Sequence, residues 1–278
     1  MSHELQNLGA DIHTLRANNP GLMTGAGTQS YLIGHRQLLL VDPGPDLPEQ
    51  SGRLLAAVDA LQAQVCGIVL THLHRDHAAA AAQLQAQTHA PIYAMPAHPE
   101  DGLQVQGLDI RRLQDGDDIA CDRGSLRVIH TPGHVDNHCC FWWPSSGDLL
   151  TGDHLITGST VVIIPPYGHM GRYMQSLQRL LDLPLRRLLP GHGAAMSEAL
   201  AIVAATLRHR RDREAKVRAA LQQQAQELTA LLPRVYDDVA VHLHPIAALS
   251  LQAHLIHLQE QGQACATASG WRLTASSR

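Results

Sequence analysis

Four polar side chains lie within six residues in the segment THLHRDH, between an apolar run and a run of alanines: His72, His74, Asp76 and His77. In an extended chain His72 and His74 point to the same side, and Asp76 and His77 follow where a strand gives way to a helix. Neutral imidazole and carboxylate are the usual ligands of zinc and similar divalent ions. Without a cation the cluster would leave polar groups poorly satisfied at a buried strand end, so the segment predicts a metal site.

Three more residues of ligand type come from distant segments of the chain. His134 follows the apolar run LRVIH, Asp153 follows LLTG, and His192 follows LLPG. A glycine lies directly before each of them and permits a sharp turn. The chain holds 19 histidines, so one cluster alone is moderate evidence. Ligand-type residues at the ends of separate strands favour a preorganised metal cleft over a chance cluster.

The elements that must position these residues are short apolar segments bounded by turns. They read SYLIG, QLLLVDPG, GIVLTH, SLRVIHTPGH, DLLTGDH and RRLLPGHG, and each predicts a buried strand that ends in a polar loop. The segment VDPGPDLPEQ has helix-start signals. Helical patterns cover residues 47–63, 77–87 and 172–181, and CCFWW predicts a further buried strand. Strands that alternate with helices indicate an α/β layered domain.

The character of the chain changes after PGHG. Residues 194–226 are almost free of Gly and Pro and predict a long connector helix, and two helical patterns and the short strand GWRL follow. This order suits a winged-helix module. We therefore expect a catalytic domain over residues 1–205 and a connector helix with a small winged-helix-like domain over residues 206–278. The connector carries RHRRDREAKVR, which is either a solvated helix face or a basic surface for RNA.

Composition is that of a folded protein, with 45% hydrophobic and 17% charged residues. The net charge of −4 gives no general attraction for nucleic acid. The segment MSHELQNLGADIHTL lacks signal-peptide features, and no apolar stretch approaches the ~20 residues that span a bilayer. The five cysteines include no CxxC, which argues against a disulfide framework or a thiolate zinc site. We expect a cytoplasmic protein that does not enter membranes.

The motifs THLHRDH, TPGH, TGDH and PGHG, in this order and spacing, resemble the metallo-β-lactamase superfamily. The resemblance implies an α/β fold, an αββα sandwich with two divalent ions in a cleft at one edge of the sheets. It assigns His72, His74 and His134 to the first ion, Asp76, His77 and His192 to the second, and Asp153 to a bridge between them. Zinc (Zn2+) fits this donor set best, although Mn2+ or Fe2+ is chemically permissible.

A closer resemblance covers nearly the full length. The segments NNPGLMTGAGTQSYLIG and GHMGRYMQSLQRL, with the terminal winged-helix-like region, are similar to the β-lactamase-like protein 2 subfamily. That subfamily usually has Asn-Thr or Asn-Ser before the tyrosine, where this chain has Gln29 and Ser30 before Tyr31. It often has an acidic residue at the position of His169. Both departures lie in segments that could face the substrate.

Two adjacent cations lower the pKa of a bridging water toward ~7, which makes hydroxide available near neutral pH. The chain is therefore expected to be a dinuclear hydrolase that uses a metal-bridging hydroxide on a small ester, thioester or lactone. Asp76 and Asp153 are its candidate catalytic residues. Two alternatives stay open, a single-strand endoribonuclease and an iron-dependent persulfide dioxygenase. A DNA-binding regulator is disfavoured because the helix HPIAALSLQAHLIHLQEQG contains no Lys or Arg.

Four further residues are candidates for supporting the ligands or contacting the substrate. His138 and His154 neighbour ligand segments, His169 lies in a Pro/Gly-rich loop, and Tyr31 lies within the predicted strand SYLIG. An ordinary structural role is the alternative for each. The favoured partner is a small acyl molecule, single-stranded RNA is the alternative, and the apolar C-terminal helix offers a surface for a homo-oligomer.

Overall fold

The computed structural model describes residues 4–95, 110–221 and 224–274. It contains two compact units. The first comprises Met1–Thr131, Asn137–Thr160 and Pro184–Ala199, and the second comprises Pro132–Asp136, Val161–Leu183 and Leu200–Arg278.

The first unit contains two β-sheets. The larger sheet has seven strands in chain order: β1 (Gln6–Gly9), β2 (Ile12–Arg16), β3 (Gln29–Ile33), β4 (Gln37–Val41), β5 (Gln64–Val69), β6 (Ile92–Ala94) and β7 (Ile110–Arg112). The second sheet has the order β12-β11-β10-β9-β8. Its strands are β8 (Asp118–Cys121), β9 (Gly124–His130), β10 (Cys139–Trp143), β11 (Asp148–Gly152) and β12 (Arg187–Pro190). The six apolar segments and CCFWW all form strands, as the sequence predicts.

The two sheets are held together by an apolar core between them. Side chains alternate between the two faces of β4. Leu39 belongs to this core, while Leu38 lies on the other face of the sheet. Phe141 and Trp143 of β10 enter the shared core, where both are almost fully buried. The outer face of the larger sheet is covered by α1 (Gln50–Ala60) and α3 (Ala81–Thr88).

One predicted helix is wrong in its extent. The pattern over residues 77–87 forms two helices, α2 (Arg75–Ala78) and α3, with a break between them. The Ala80 N–H donates to the Gly44 carbonyl at 3.1 Å, so it does not continue the hydrogen-bond ladder of α2. The short α2 therefore places Asp76 and His77 in a helical turn that begins at Arg75, after the loop that follows β5.

The second unit is mainly helical. Its elements are α4 (Met170–Leu180), α5 (Ala199–Ala220), α6 (Leu228–Val235), a short 3-10 helix (Val241–Leu243), α7 (His244–Glu260) and the antiparallel hairpin β13 (Ala264–Thr267) and β14 (Gly270–Leu273). Val217, Leu231, Leu255 and Leu258 belong to its apolar core. No helix in the described part of the chain is long and apolar enough to cross a bilayer. The domain boundary at residue 205 lies inside α5 and stays a prediction.

Candidate metal centre

Parallel strands bring the first ligand segments to one edge of the larger sheet. β4 and β5 pair in parallel, so their carboxyl ends lie side by side. Asp42 follows β4, and Thr71 and His72 follow β5. The Thr71 N–H donates to Asp42 Oδ1 at 2.8 Å and fixes this edge.

The second sheet delivers its ligands in the same way. β9 and β11 are both antiparallel to β10, and β12 is parallel to β11, so β9, β11 and β12 run in one direction. Asp153 follows β11 and His192 follows β12. Backbone hydrogen bonds join this edge to the larger sheet, because the Cys139 N–H donates to the Thr71 carbonyl at 2.7 Å and the Gln29 N–H donates to the Gly191 carbonyl at 2.8 Å.

Four ligand atoms converge, and the two histidine nitrogens have nearly equal distances to the others: His77 Nε2, His192 Nε2, Asp76 Oδ2 and Asp153 Oδ1. His77 Nε2 lies 3.4 Å from the Asp76 oxygen, 3.3 Å from the Asp153 oxygen and 3.3 Å from His192 Nε2. His192 Nε2 lies 3.2 Å from each of the same two oxygens. Ligand atoms about 2.0–2.1 Å from a tetrahedral ion lie about 3.3 Å from one another. The donor set and its spacing therefore fit a divalent ion such as zinc.

Asp42 orients the most buried of these ligands. His77 is completely buried, and its Nδ1–H donates to Asp42 Oδ2 at 2.8 Å. In the neutral ring this bond leaves the lone pair on Nε2, which points at the other ligand atoms. A carboxylate behind a ligand histidine fixes its tautomer and raises its basicity. Sequence reasoning missed Asp42 because VDPG was attributed to a helix start, although Asp42 ends a strand as the other ligand residues do.

A second group of ligand atoms adjoins the first. One ligand atom from each of His72, His74 and Asp153 lies within 4.8 Å of the others. Thr71 Oγ1 donates to Asp42 Oδ2 at 2.7 Å and therefore accepts from His72 Nδ1–H at 3.0 Å. His72 Nε2 then presents its lone pair, and it lies 3.0 Å from His74 Nδ1. Two nitrogens at this distance are well placed to share a cation. Asp153 belongs to both groups of ligand atoms.

His134 follows β9 and belongs by its contacts to the second unit. Its Nδ1–H donates to the Val162 carbonyl at 3.1 Å, and the residue is 7% exposed. This bond again leaves the lone pair on Nε2, as a ligand imidazole requires. Its assignment to the first ion stays a proposal.

The carboxylates of the cluster favour positive charge on the groups between them. Burial acts to raise the pKa of Asp76, but hydrogen bonds with His192 and His77 hold that pKa well below its ordinary value. Burial acts to lower the pKa of His192, but Asp153 and Asp76 raise it to about 9. The pKa of His77 lies well above its ordinary value, against burial, because of the charges of Asp153 and Asp42. A divalent cation would supply this charge once the histidines lose their protons.

His138 lies beside the candidate bridging residue. It is fully buried, and its Nε2 accepts the Asp153 N–H at 3.2 Å. Its Nδ1 is therefore the protonated nitrogen and donates to Thr131 Oγ1 at 2.9 Å. His138 thus holds the backbone of Asp153, which supports its proposed role behind the ligands. His154 is also fully buried, with its ring 5.9 Å from that of His138.

Gly152, which precedes Asp153, lies where the structure leaves no room for a side chain. Its φ is +46°, and a Cβ there would lie 2.6 Å from Thr71 Oγ1 and 2.9 Å from His138 Nε2. We expect Gly152→Ala to weaken zinc binding at least about tenfold, because the clash displaces groups that orient His72 and Asp153.

Gly158→Ala is the matched control for this substitution. Gly158 also has a positive φ of +80°, but a Cβ there meets nothing within 4 Å. Both variants carry backbone strain. Their zinc affinities are measured by competition with a chromophoric chelator, and the difference between them isolates the effect of the steric clash. Equal affinities would mean that the Gly152 contacts do not position the ligands.

Tyr31 lies in the core between the sheets and is 4% exposed. Its hydroxyl donates to the Pro190 carbonyl at 2.8 Å, two residues before His192. The side chain of Gln29, two residues before Tyr31, donates to the Gly193 carbonyl at 3.0 Å, on the other side of His192. The segment that departs from the subfamily pattern therefore braces the His192 loop.

Tyr31→Phe is expected to lower the free energy of unfolding by about 1–2 kcal/mol, because a buried carbonyl loses its donor. Its kcat should change less than about threefold. Denaturant unfolding and steady-state rates check both values. A large fall in kcat with unchanged stability would instead assign Tyr31 a catalytic role.

His169 lies in the second unit, at the start of α4. Its Nδ1 accepts the Arg172 N–H at 3.2 Å, and its Nε2 lies 2.9 Å from Glu260 Oε2. His169 thus caps a helix and pairs with an acidic side chain of α7. Its proposed contact with substrate stays a proposal.

Known proteins share both the sequence pattern and the fold. The metallo-β-lactamase superfamily model matches residues 23–192, and the β-lactamase-associated winged helix domain matches residues 228–271. The Caenorhabditis elegans β-lactamase-like protein 2 homolog is 28% identical, with 84% of this chain and 79% of that protein aligned. The Drosophila melanogaster homolog is 28% identical over 88% of this chain and 86% of that protein.

A β-lactamase domain protein from Burkholderia ambifaria has a similar structure, with a TM-score of 0.81 and 19% identity over 98% of this chain and 94% of that chain. This likeness confirms the predicted fold class. The superfamily match covers more than half of the chain and ends at His192. The chain therefore belongs to the metallo-β-lactamase superfamily, whose members are generally metal-dependent hydrolases, and it carries the associated winged helix domain.

Proposed function

We propose that this protein is a dinuclear metal-dependent hydrolase of a small ester, thioester or lactone-type acyl substrate. The observation that carries the proposal is the convergence of four ligand atoms, in which His77 Nε2 and His192 Nε2 lie 3.3 Å apart and each lies 3.2–3.4 Å from one oxygen of Asp76 and one of Asp153. A second group of ligand atoms lies beside them. Two divalent ions bound there would supply an acidified water and an electrophile for the carbonyl oxygen of the substrate. Zinc is the proposed metal, because imidazole and carboxylate ligands in tetrahedral spacing suit it best.

Each proposed ligand has a distinct task in this scheme. His72, His74 and His134 hold the first ion, and Asp76, His77 and His192 hold the second. Asp153 lies in both groups and links them. Asp76 is the more exposed of the two carboxylates, with 29% of its side chain accessible against 12% for Asp153. Its carboxylate is therefore the group we assign to accept a proton from the attacking water.

The side of the centre that opens to solvent is the side from which a substrate must enter. His74 is exposed, whereas His72 and His77 are buried. The acyl group would approach past His74 and Asp76. The buried network of Thr71 and Asp42 beneath the ligands then keeps their tautomers fixed during the reaction.

Several basic residues of α5 are buried or paired, which favours an acyl substrate over RNA. Arg210 and Arg213 are only 3% and 5% exposed. Arg213 Nη1 lies 2.7 Å from Asp238 Oδ1 and its guanidinium lies 4.3 Å from the Tyr236 ring centroid, while Lys216 Nζ lies 2.7 Å from Asp237 Oδ1. These cations are engaged within the second unit, so they form a weaker basic surface than the sequence suggests.

One substrate panel tests the proposal. Metal-loaded protein is offered thioesters, lactones, β-lactams and single-stranded RNA in the same buffer, and initial rates are compared. We expect hydrolysis of thioesters or lactones and no RNA cleavage. RNA cleavage without acyl hydrolysis would replace the proposed substrate class. Iron content with oxygen consumption, and no hydrolysis, would replace the reaction itself.

A further inference from the structure

A second cluster of ligand-type side chains lies within the second unit and shares no residue with the seven proposed ligands of the centre. It consists of His169, His257 and Glu260, and one ligand atom from each lies within 4.8 Å of the others. His169 Nε2 lies 2.9 Å from Glu260 Oε2, and His257 Nδ1 lies 3.7 Å from the same oxygen. We propose that this cluster, defined here as the α4–α7 cluster, binds one divalent cation of the zinc class.

Two helices supply the three groups. His169 is the N-cap of α4, and His257 and Glu260 lie in the last turn of α7 at positions i and i+3, on one helix face. A cation held by all three would tie the start of α4 to the end of α7. Two imidazoles and one carboxylate form a donor set that zinc accepts, with a fourth position left for water.

The environment of His257 is the independent observation that points to a ligand. Its Nδ1 atom is buried and makes no hydrogen bond. A buried polar nitrogen without a partner is costly, and a cation beside Glu260 would satisfy it. On the opposite side of the ring, Gln261 Nε2 donates to His257 Nε2 at 2.8 Å, which places the proton of the neutral ring on Nδ1. Binding a cation at Nδ1 moves this proton to Nε2, and the Gln261 amide must then turn its oxygen toward the ring. Glu214 Oε2 lies 3.8 Å from Nε2, so a carboxylate stands near the nitrogen that would then carry the proton.

His169 must change its tautomer to take part. Its Nδ1 now accepts the Arg172 N–H at 3.2 Å, which places the proton of the neutral ring on Nε2. Binding a cation at Nε2 moves that proton to Nδ1, where it would face the Arg172 N–H. The cap bond is then lost and the ring must turn away from Arg172. The loss of one such bond is small beside the binding free energy of a zinc-class ion.

The cluster is open to solvent on one side. Glu260 has 49% of its side chain accessible and His169 has 27%. Both line a cleft of about 390 Å³, with Pro165, Pro166 and Ile256 among its apolar walls. A cation could therefore enter, and its fourth position would face this cleft.

Metal counting tests the inference separately from catalysis. Chelator-treated protein is dialysed to equilibrium against zinc, and bound zinc is measured per chain in the wild type and in Glu260→Gln. The control variant is Glu227→Gln, because Glu227 is an exposed residue of the same unit that lies at the N-cap of α6. The wild type and both variants keep the ligands of the metal centre, so zinc bound there cancels when their zinc contents are subtracted.

We expect Glu260→Gln to bind one equivalent less than the wild type and Glu227→Gln to bind the same number. His257→Asn should show the same loss as Glu260→Gln. Equal zinc content in all four proteins, at a zinc concentration that saturates the wild type, would overturn the inference.

Discussion

Replacing Asp153 with alanine is expected to lower kcat/KM for acyl hydrolysis by about 1,000-fold or more, while the protein stays folded. Asp153 Oδ1 lies 3.2 Å from His192 Nε2 and 3.3 Å from His77 Nε2, and the same residue belongs to the group of His72 and His74. Asp153 therefore has contacts with members of both groups. In the proposed centre its removal would take negative charge from both ions, so we expect both metal content and turnover to fall.

The control for this variant is Asp59→Ala, which removes an exposed carboxylate from α1 in the same unit. We expect wild-type turnover and metal content for Asp59→Ala. Circular dichroism shows whether Asp153→Ala keeps its fold. Full turnover by folded Asp153→Ala would disprove the bridging role.

Asp42→Asn is expected to have the second largest effect, a loss of about 10- to 100-fold in zinc affinity with a parallel loss of activity at limiting metal. Asp42 accepts three hydrogen bonds, from Thr71 N–H, Thr71 Oγ1 and His77 Nδ1–H. An amide has only one acceptor oxygen. One orientation turns its NH2 toward His77 Nδ1 and favours the tautomer with the proton on Nε2, where the metal must bind. The other orientation points the NH2 at the Thr71 N–H, so that two donors face each other and their hydrogen bond is lost.

Asp46→Asn provides the matched control, because Asp46 is exposed and lies in the same loop. Zinc affinity of both variants is measured by competition with a chromophoric chelator, and kcat is measured at saturating zinc. We expect kcat of Asp42→Asn to recover in part when zinc is raised, because the substitution acts through metal binding. An affinity equal to that of Asp46→Asn would show that the carboxylate behind His77 has no influence on the metal.

The positions of the candidate ligands could be predicted from the sequence because each follows a short apolar strand. His72, Asp153 and His192 lie one to three residues beyond β5, β11 and β12. The motif types and the strand ends are local features, and parallel pairing then brings the ends together. The resemblance to a known family added the division of the ligands between two ions, which the residues alone leave open.

Groups that depend on tertiary contacts could not be predicted in this way. The break between α2 and α3 arises from the Gly44 carbonyl, which belongs to a distant loop. Arg210 and Arg213 look like a basic surface in the sequence, yet tertiary partners bury them. The α4–α7 cluster joins His169 to Glu260, 91 residues away. No local pattern links these residues.

We expect hydrolysis by this protein to require bound metal ions, and restoring zinc to chelator-treated protein tests this most directly. The initial rate of thioester or lactone hydrolysis, whichever is the better substrate, is followed as zinc is added, with the Glu260→Gln variant used so that only the centre binds. We expect no turnover without metal and a maximum at about two equivalents. Undiminished turnover by the metal-free protein would contradict the account.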